Sequence, residues 1–244
     1  MIILFTDFTL NGPYVGQVKS AIYQYHSKSV VIDLMHDVPM FDTKHASCLL
    51  NSFISFFPKK SVFCCVVDPG VGSDRNAIVV KADDRYFVGP DNGLFEYICK
   101  MSTRLEYFTI TWKPKLLSST FHGRDIFAPI AASIDRGVFD GLESTNSKNI
   151  KRFPWPVDLY EIIYIDPFGN LMTGVRGSSL SSESILELNG QKINYAVTYS
   201  NMPEGELCWY VNSNNLVEIG VNLSSAALQG SYRIGMKINI YNNK

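Results

Sequence analysis

Apolar positions alternate between unbroken runs and helical stripes through the first half of the chain, then fall almost wholly into strand-like runs in the second. MIILF (1–5) fits a buried strand. Pro13 suits the first turn of a helix, where its missing N–H costs nothing. Val15, Val18, Ile22 and Tyr25 then recur at spacings of three and four, the stripe of an amphipathic helix. SVVIDL (29–34) predicts a second buried strand. Asp42 can cap a helix whose inner face is Ala46, Leu49, Leu50, Phe53 and Phe57. SVFCCVVD (61–68), NAIVVKA (76–82), RYFV (85–88) after a turn, and RLEYFTI (104–110) predict further strands. Asp91-Asn92-Gly93 is a turn signal. Asp125 to Arg136 reads as a helix stopped by Gly137.

This alternation predicts an N-terminal α/β domain with a largely parallel sheet covered by helices. Residues 141–156, GLESTNSKNIKRFPWP, are polar and then proline-rich, with little periodicity. They place an N-terminal domain over 1–145, a linker over 146–156 and a second domain over 157–244. That second domain reads as LYEIIYI, LMTGV, ILELNGQKINYAVTY, ELCWYV, LVEIGVN and YRIGMKINIY, with turn signals at Asn189-Gly190 and Asn212–Asn215. A small antiparallel, β-barrel-like domain is expected.

The 244 residues are 46% hydrophobic and 18% charged, which excludes a disordered chain. The longest apolar run, VFCCVV (62–67), is far too short to span a bilayer. No basic segment precedes the apolar start, so it does not read as a signal peptide. Fifteen basic and fifteen acidic residues occupy 1–150, and seven and eight the remainder. Neither half carries the basic excess of a nucleic-acid binder. The five cysteines are odd in number and form no CxxC, so a disulfide framework or a zinc site is not expected, and a cytoplasmic setting is. Cys64 and Cys65 read as core packing.

Three strand runs end in an acid: Asp7, Asp33 and Asp68. In open α/β sheets ligands bind beyond the carboxyl ends of strands, so these are candidates, with loop capping as the alternative. DPGVGSDR (68–75) packs a tight turn between Asp68 and Arg75, which can meet as an ion pair; it lacks the glycine and lysine pattern of a phosphate loop. His122 in FHGRD sits beside a glycine just before a helix, placed for proton or water chemistry or for a structural bond. His36-Asp37 with His45 match no metal-ligand spacing. DPFGN (166–170) reads as a carboxylate, a ring and an amide around a turn. The polar loops 197–206 and 211–222 suit a ligand with both a flat ring and a zwitterion.

Taken in order, TDFxxxxPYVGQVKS, DLMHDVPMFD, FFPKKSVFCCVVDPGVGSDR, YFVGPDNGLF, STFHGRDIFAPIAA, DPFGN and NSNNLVEIGVN resemble the S-adenosyl-L-methionine (SAM) hydrolases that form adenosine, also called SAM hydroxide adenosyltransferases. These are relatives of the fluorinase and chlorinase. The resemblance runs from about residue 2 to the C-terminus. It implies an α/β domain followed by a β-barrel, and a homotrimer with SAM held between the N-domain of one subunit and the C-domain of the next. It implies a catalytic triad of Asp68, Arg75 and His122. Asp7 would hold the ribose diol, with Phe41 near the ribose. Asp166 and Asn170 would hold the methionine amino-acid end, Ser213 would lie near its carboxylate and Tyr199 would stack on adenine. The backbone at Asn222 and Leu223 would read the adenine edge. Halogenase relatives carry Tyr at the Asp and His positions and a halide-binding Ser where this chain has Gly123. The short connection through 76–104 leaves no room for the fluorinase's extra loop. Thr9, Gly12, Gly174, Ser224 and Ser225 depart from the family pattern.

The implied reaction releases neutral methionine from a sulfonium, so the leaving group needs no acid. The demand falls on the nucleophile. Asp68 and His122 would orient and polarise a water in line with the carbon–sulfur bond, one of them as general base, and the sequence does not choose between them. SAM is the expected substrate, with adenosine and methionine as products, and no metal, no other cofactor and no nucleic-acid or membrane partner. The alternatives are a chloride-using adenosyltransferase and a SAM- or adenosine-binding module without turnover.

Overall fold

The computed structural model describes residues 1–242 and contains two compact units, Met1–Pro154 and Trp155–Lys244. The first is built on a seven-stranded sheet of order β2-β1-β3-β5-β4-β6-β7. Its strands are β1 (Ile2–Thr6), β2 (Val31–Met35), β3 (Val62–Val66), β4 (Ala77–Ala82), β5 (Arg85–Pro90), β6 (Leu105–Ile110) and β7 (Leu142–Thr145). Helices α1 (Tyr14–Tyr25), α2 (Thr43–Phe53), α3 (Glu96–Met101) and α4 (Ala128–Asp135) accompany them. Asp42 caps α2 by accepting from the backbone N–H of His45.

β1, β3 and their neighbours read as unbroken apolar runs because both faces are covered. Alternate residues Ile2 and Leu4 of β1, and Val62, Cys64 and Val66 of β3, pack with Val18, Ile22, Ile130 and Ala131. The intervening Phe63 stacks on Phe87 with ring centroids 4.9 Å apart and meets Phe57 edge-on at 5.3 Å. Burial pushes the Cys64 thiol up to about 12, and all five cysteines are buried.

The sheet is mixed rather than largely parallel. β1 pairs in parallel with β2 and β3, and β3 with β5, but β4–β5, β4–β6 and β6–β7 are antiparallel. The reversal comes from Asp83 and Asp84, both at positive φ (43° and 68°) between the paired Ala82 and Arg85. Two left-handed residues make the tight hairpin turn that right-twisted strands prefer. Asp83 offsets the strain by accepting from the backbone of Thr103 and Arg104. The segment 150–153 is held to this unit: Lys151 N–H donates to Asp91, and the Arg152 guanidinium and the Phe153 backbone N–H donate to Glu96.

The second unit has the order β14-β10-β11-β12-β13-β9-β8. Its strands are β8 (Leu159–Ile165), β9 (Leu171–Arg176), β10 (Ser184–Leu188), β11 (Gln191–Tyr195), β12 (Leu207–Val211), β13 (Leu216–Val221) and β14 (Asn239–Asn242), with a short helix α5 (Ala226–Gln229). Asn189 and Gly190 turn β10 into β11 at positive φ. The expected antiparallel order holds except at β11–β12, which pair in parallel because the 196–206 loop carries the chain back before β12 begins. The sheet curls. Residues 235–238 hydrogen-bond to β8 through Gly235 N–H to Ile162 O and Ile238 N–H to Tyr160 O, and the chain then pairs with β10 as β14. Trp209 fills the interior and donates its indole N–H to Ser184 O at 3.0 Å. Among the described residues no helix is long and apolar enough to cross a membrane.

Candidate active site

Asp7 and Asp68 lie just past the carboxyl ends of the adjacent parallel strands β1 and β3, and both line one cavity of about 280 Å³. Phe41, His122 and Gly123 line it too. Asp33 does not. β2 runs on to Met35, and Asp33 points its carboxylate to Lys19 and His36 at its side. His36 is held between Asp33 and the Thr6 hydroxyl, and His45 bonds Asp42.

The 68–75 loop brings Asp68 and Arg75 together. Arg75 Nε donates to both carboxylate oxygens at 2.8 and 3.0 Å, and its Nη2 also donates to Asp68 Oδ2. Both side chains are nearly inaccessible (3% and 4%), so the charges are exchanged with each other rather than with water. Gly72 (φ +81°) is required here, because a Cβ would sit 2.4 Å from Ser119 O. Arg75 stacks over Phe127 at 5.2 Å and reaches His122 Nδ1 with Nη2 at 3.0 Å. Guanidinium has no acceptor, so Nδ1 accepts and the neutral imidazole carries its proton on Nε2. Burial and then the Arg75 charge hold the His122 pKa below its ordinary value.

His122 enters a π-helical turn, Gly123–Phe127, that runs into α4. Pro129 explains the widening. It has no N–H for the carbonyl four residues back, and its ring crowds that carbonyl. Gly123 has little spare room, since a Cβ would stand 3.3 Å from Phe8 and 3.4 Å from Phe121. Phe8, Tyr14 and Phe121 form a three-ring wall with centroids 5.5–5.8 Å apart. Opposite, Asp7 accepts from the Phe41 N–H at 3.1 Å, and Phe41 holds φ +62° with its ring 72% exposed. Burial raises the Asp7 pKa against the pull of that N–H, and the Asp68 charge adds to the rise.

In the second unit, Asp166 and Asn170 close one turn. Asp166 Oδ1 accepts from the N–H groups of Phe168 and Asn170, and Oδ2 from the Asn170 amide. Tyr199 lies edge-on to Tyr210 at 6.0 Å. Ser213 sits in the 212–215 turn, which Asn212 Oδ1 shapes by accepting from Asn214 and Leu216 N–H. Asn222 donates to Met202 O, and Leu223 follows at φ +55°, 80% exposed.

Sequence reasoning missed the group behind these residues. Glu218, 5% exposed, accepts from Tyr210 Oη at 2.7 Å and from Asn212 Nδ2 at 2.8 Å. Burial, with Asp166 adding, raises its pKa. Its signal was a lone acid inside the apolar run LVEIGV. Phe8, Tyr14 and Phe121 were likewise present in the quoted motifs but assigned no role. Of the departures from the family pattern, Thr9 stands at φ +56°, and Gly174 faces Leu159, whose Cβ would be 2.6 Å from an added Cβ. Ser225 caps α5 and packs on Gly169.

The chain matches the SAM hydroxide adenosyltransferase N-terminal domain over residues 2–143 and the corresponding C-terminal domain over residues 160–239. It is 31% identical over 252 residues to the (R)-S-adenosyl-L-methionine hydrolase of Thermus thermophilus, covering 96% of this chain and 97% of the relative. The hydrolase of the same name from Methanocaldococcus jannaschii is 31% identical, covering 93% and 90%. Among solved structures, an uncharacterized conserved protein from Thermotoga maritima superposes with a TM-score of 0.90 at 32% identity, covering 98% of this chain and 99% of that one. A conserved hypothetical protein from Thermus thermophilus gives 0.80 at 30%, with the same coverage. With both domains matched in order, this chain belongs to the SAM hydroxide adenosyltransferase family.

Proposed function

We propose that this chain hydrolyses SAM to adenosine and L-methionine by in-line attack of water on the 5′ carbon. The observation that carries the reading is the Asp68–Arg75–His122 constellation, two of whose members open onto the same cavity as Asp7. One carbon–oxygen bond forms and one carbon–sulfur bond breaks. The electron pair goes to the sulfur of neutral methionine, and one water proton is released.

The geometry favours Asp68 as the acceptor of that proton. His122 gives its Nδ1 lone pair to Arg75 and so carries its N–H on Nε2, in a ring that lines the cavity. It holds the water oxygen as a donor while Asp68 accepts from the water. A carboxylate paired with arginine is a weak base, yet it suffices. The attacking water becomes strongly acidic only as the carbon–oxygen bond forms, and the proton falls to Asp68 late in the step. Fixing the water in line supplies several of the roughly 7–11 kcal/mol that well-oriented reactants can provide.

Asp7 is assigned to the ribose diol, with Phe41 beside the ribose, and Gly123 to the cavity wall packed against Phe8 and Phe121. Asp166, Asn170 and Ser213 are assigned to the methionine end. Tyr199 and the backbone at Asn222 and Leu223 are assigned to adenine. The homotrimer and the cytoplasmic setting that the resemblance implies are part of the proposal, and no cofactor is drawn into the reaction. The relatives' names specify the (R) sulfonium, and the same epimer is proposed here.

The test is product analysis of the purified chain with SAM, with and without chloride, beside Asp68→Asn. Adenosine and methionine in equal amounts, lost in Asp68→Asn and indifferent to chloride, are expected. A chlorinated adenosine, or SAM bound without product, would overturn the reading.

A further inference from the structure

The loop that carries Asp68 and Arg75 extends beyond the sheet ladder that should steady it. β3 pairs with β5 only as far as Cys64 with Val88, four residues short of Asp68. β5 then ends in Gly89-Pro90 and the Asp91-Asn92-Gly93 turn, with Gly93 at φ +99°. This turn reaches back to both ends of the loop. Asn92 Nδ2 donates to Val67 O at 2.9 Å, the carbonyl immediately before Asp68. Asp91 N–H donates to Asn76 O at 3.0 Å, immediately after Arg75, and Arg75 Nη1 shares that carbonyl at 3.2 Å. The turn is itself fixed. Asn92 Oδ1 accepts from Leu94 N–H at 3.2 Å, and Asp91 Oδ1 from Lys151 N–H at 3.0 Å. Gly89 permits the approach, since a Cβ there would lie 2.4 Å from Cys65 O.

We propose that Asn92 is a positioning residue for hydrolysis: its side-chain amide replaces the missing ladder bond and sets where the Asp68 carboxylate stands relative to the water. The inference rests on the proposed role of Asp68. It concerns the chemical step, because Asn92 is not among the residues lining the cavity.

Asn92→Asp tests it. The carboxylate still accepts from Leu94 N–H but has no donor for Val67 O. A fall in kcat of about 30- to 100-fold, with the KM for SAM within about threefold of wild type, is expected, since a displacement of about 1 Å costs up to about 100-fold. A general loosening of the fold would not confine the loss to kcat. If Asn92→Asp does not fold, Asn92→Ser carries the same expectation, because its hydroxyl can serve Leu94 but is too short for Val67. A kcat within about twofold of wild type, or a loss seen in KM, would overturn the proposal. Asp68→Asn is measured alongside. If it stays active, the reading of the reaction fails; if it is inactive while the Asn92 variants are not, only the positioning role fails.

Discussion

At the scale of single residues, the account turns on one imidazole. His122 must be neutral to accept from Arg75, and burial and that same arginine keep it so. Protonation would set two N–H donors against each other. The kcat/KM profile is therefore expected to stay level on moving down to about 6.5, the ordinary histidine value, and to fall only below it. An acid limb centred above 7 would contradict the assignment. Thr9 is a second case. A β-branched residue in the left-handed region is strained by roughly 1–2 kcal/mol, and a glycine there gives back part of that in unfolded-chain entropy. Thr9→Gly is expected to stabilise the chain by about 0.5–1 kcal/mol, read from the thermal midpoint. The sequence flagged Thr9 as a departure, but nothing in it revealed the φ. Asp68 and Arg75 were legible as an ion pair across their loop, and His122 as a separate chemistry-bearing group. Its contact with Arg75 depended on a π-helical turn that carries no periodic signal.

At the scale of elements, the buried strands and α1, α2 and α4 were readable because their apolar spacing is regular. β7 and α3 were not. LEST is a four-residue edge strand with mostly polar side chains, and EYICKM follows a turn signal that masks a six-residue helix. Parallel against antiparallel pairing was not readable from KADDRY, because two aspartates in the left-handed region are less expected than Asn-Gly. In the second unit the hidden element is the Tyr210–Glu218–Asn212 cross-strand link between β12 and β13. In Glu218→Gln one carboxylate oxygen becomes an N–H₂, so the Tyr210 hydroxyl must turn from donor to acceptor and two bonds to a carboxylate become neutral ones. A hydrogen bond to a charged group is worth about 1.5–3 kcal/mol against about 0.5–1.5 kcal/mol for a neutral one. If Tyr199 and Ser213 serve SAM as proposed, Glu218→Gln is expected to raise KM by about fivefold or more while leaving kcat within about twofold. Steady-state kinetics check this, and a kcat loss without a KM change would contradict it.

At the scale of the whole molecule, two units divide the candidate chemistry. The first holds the Asp68–Arg75–His122 constellation that is proposed to activate water, and the second a cluster of amide, carboxylate and aromatic groups. Composition gave no basic excess and could not reveal a sulfonium; the ordered motifs pointed to one, and the domain matches bear out the family. The central claim is that water attacks the 5′ carbon. The most direct test is turnover of SAM in ¹⁸O-labelled water, with mass spectrometry of both products and His122→Ala as the control for spontaneous breakdown. The account predicts one ¹⁸O in adenosine and none in methionine. Unlabelled adenosine, or adenosine no more abundant than in the control, would contradict it.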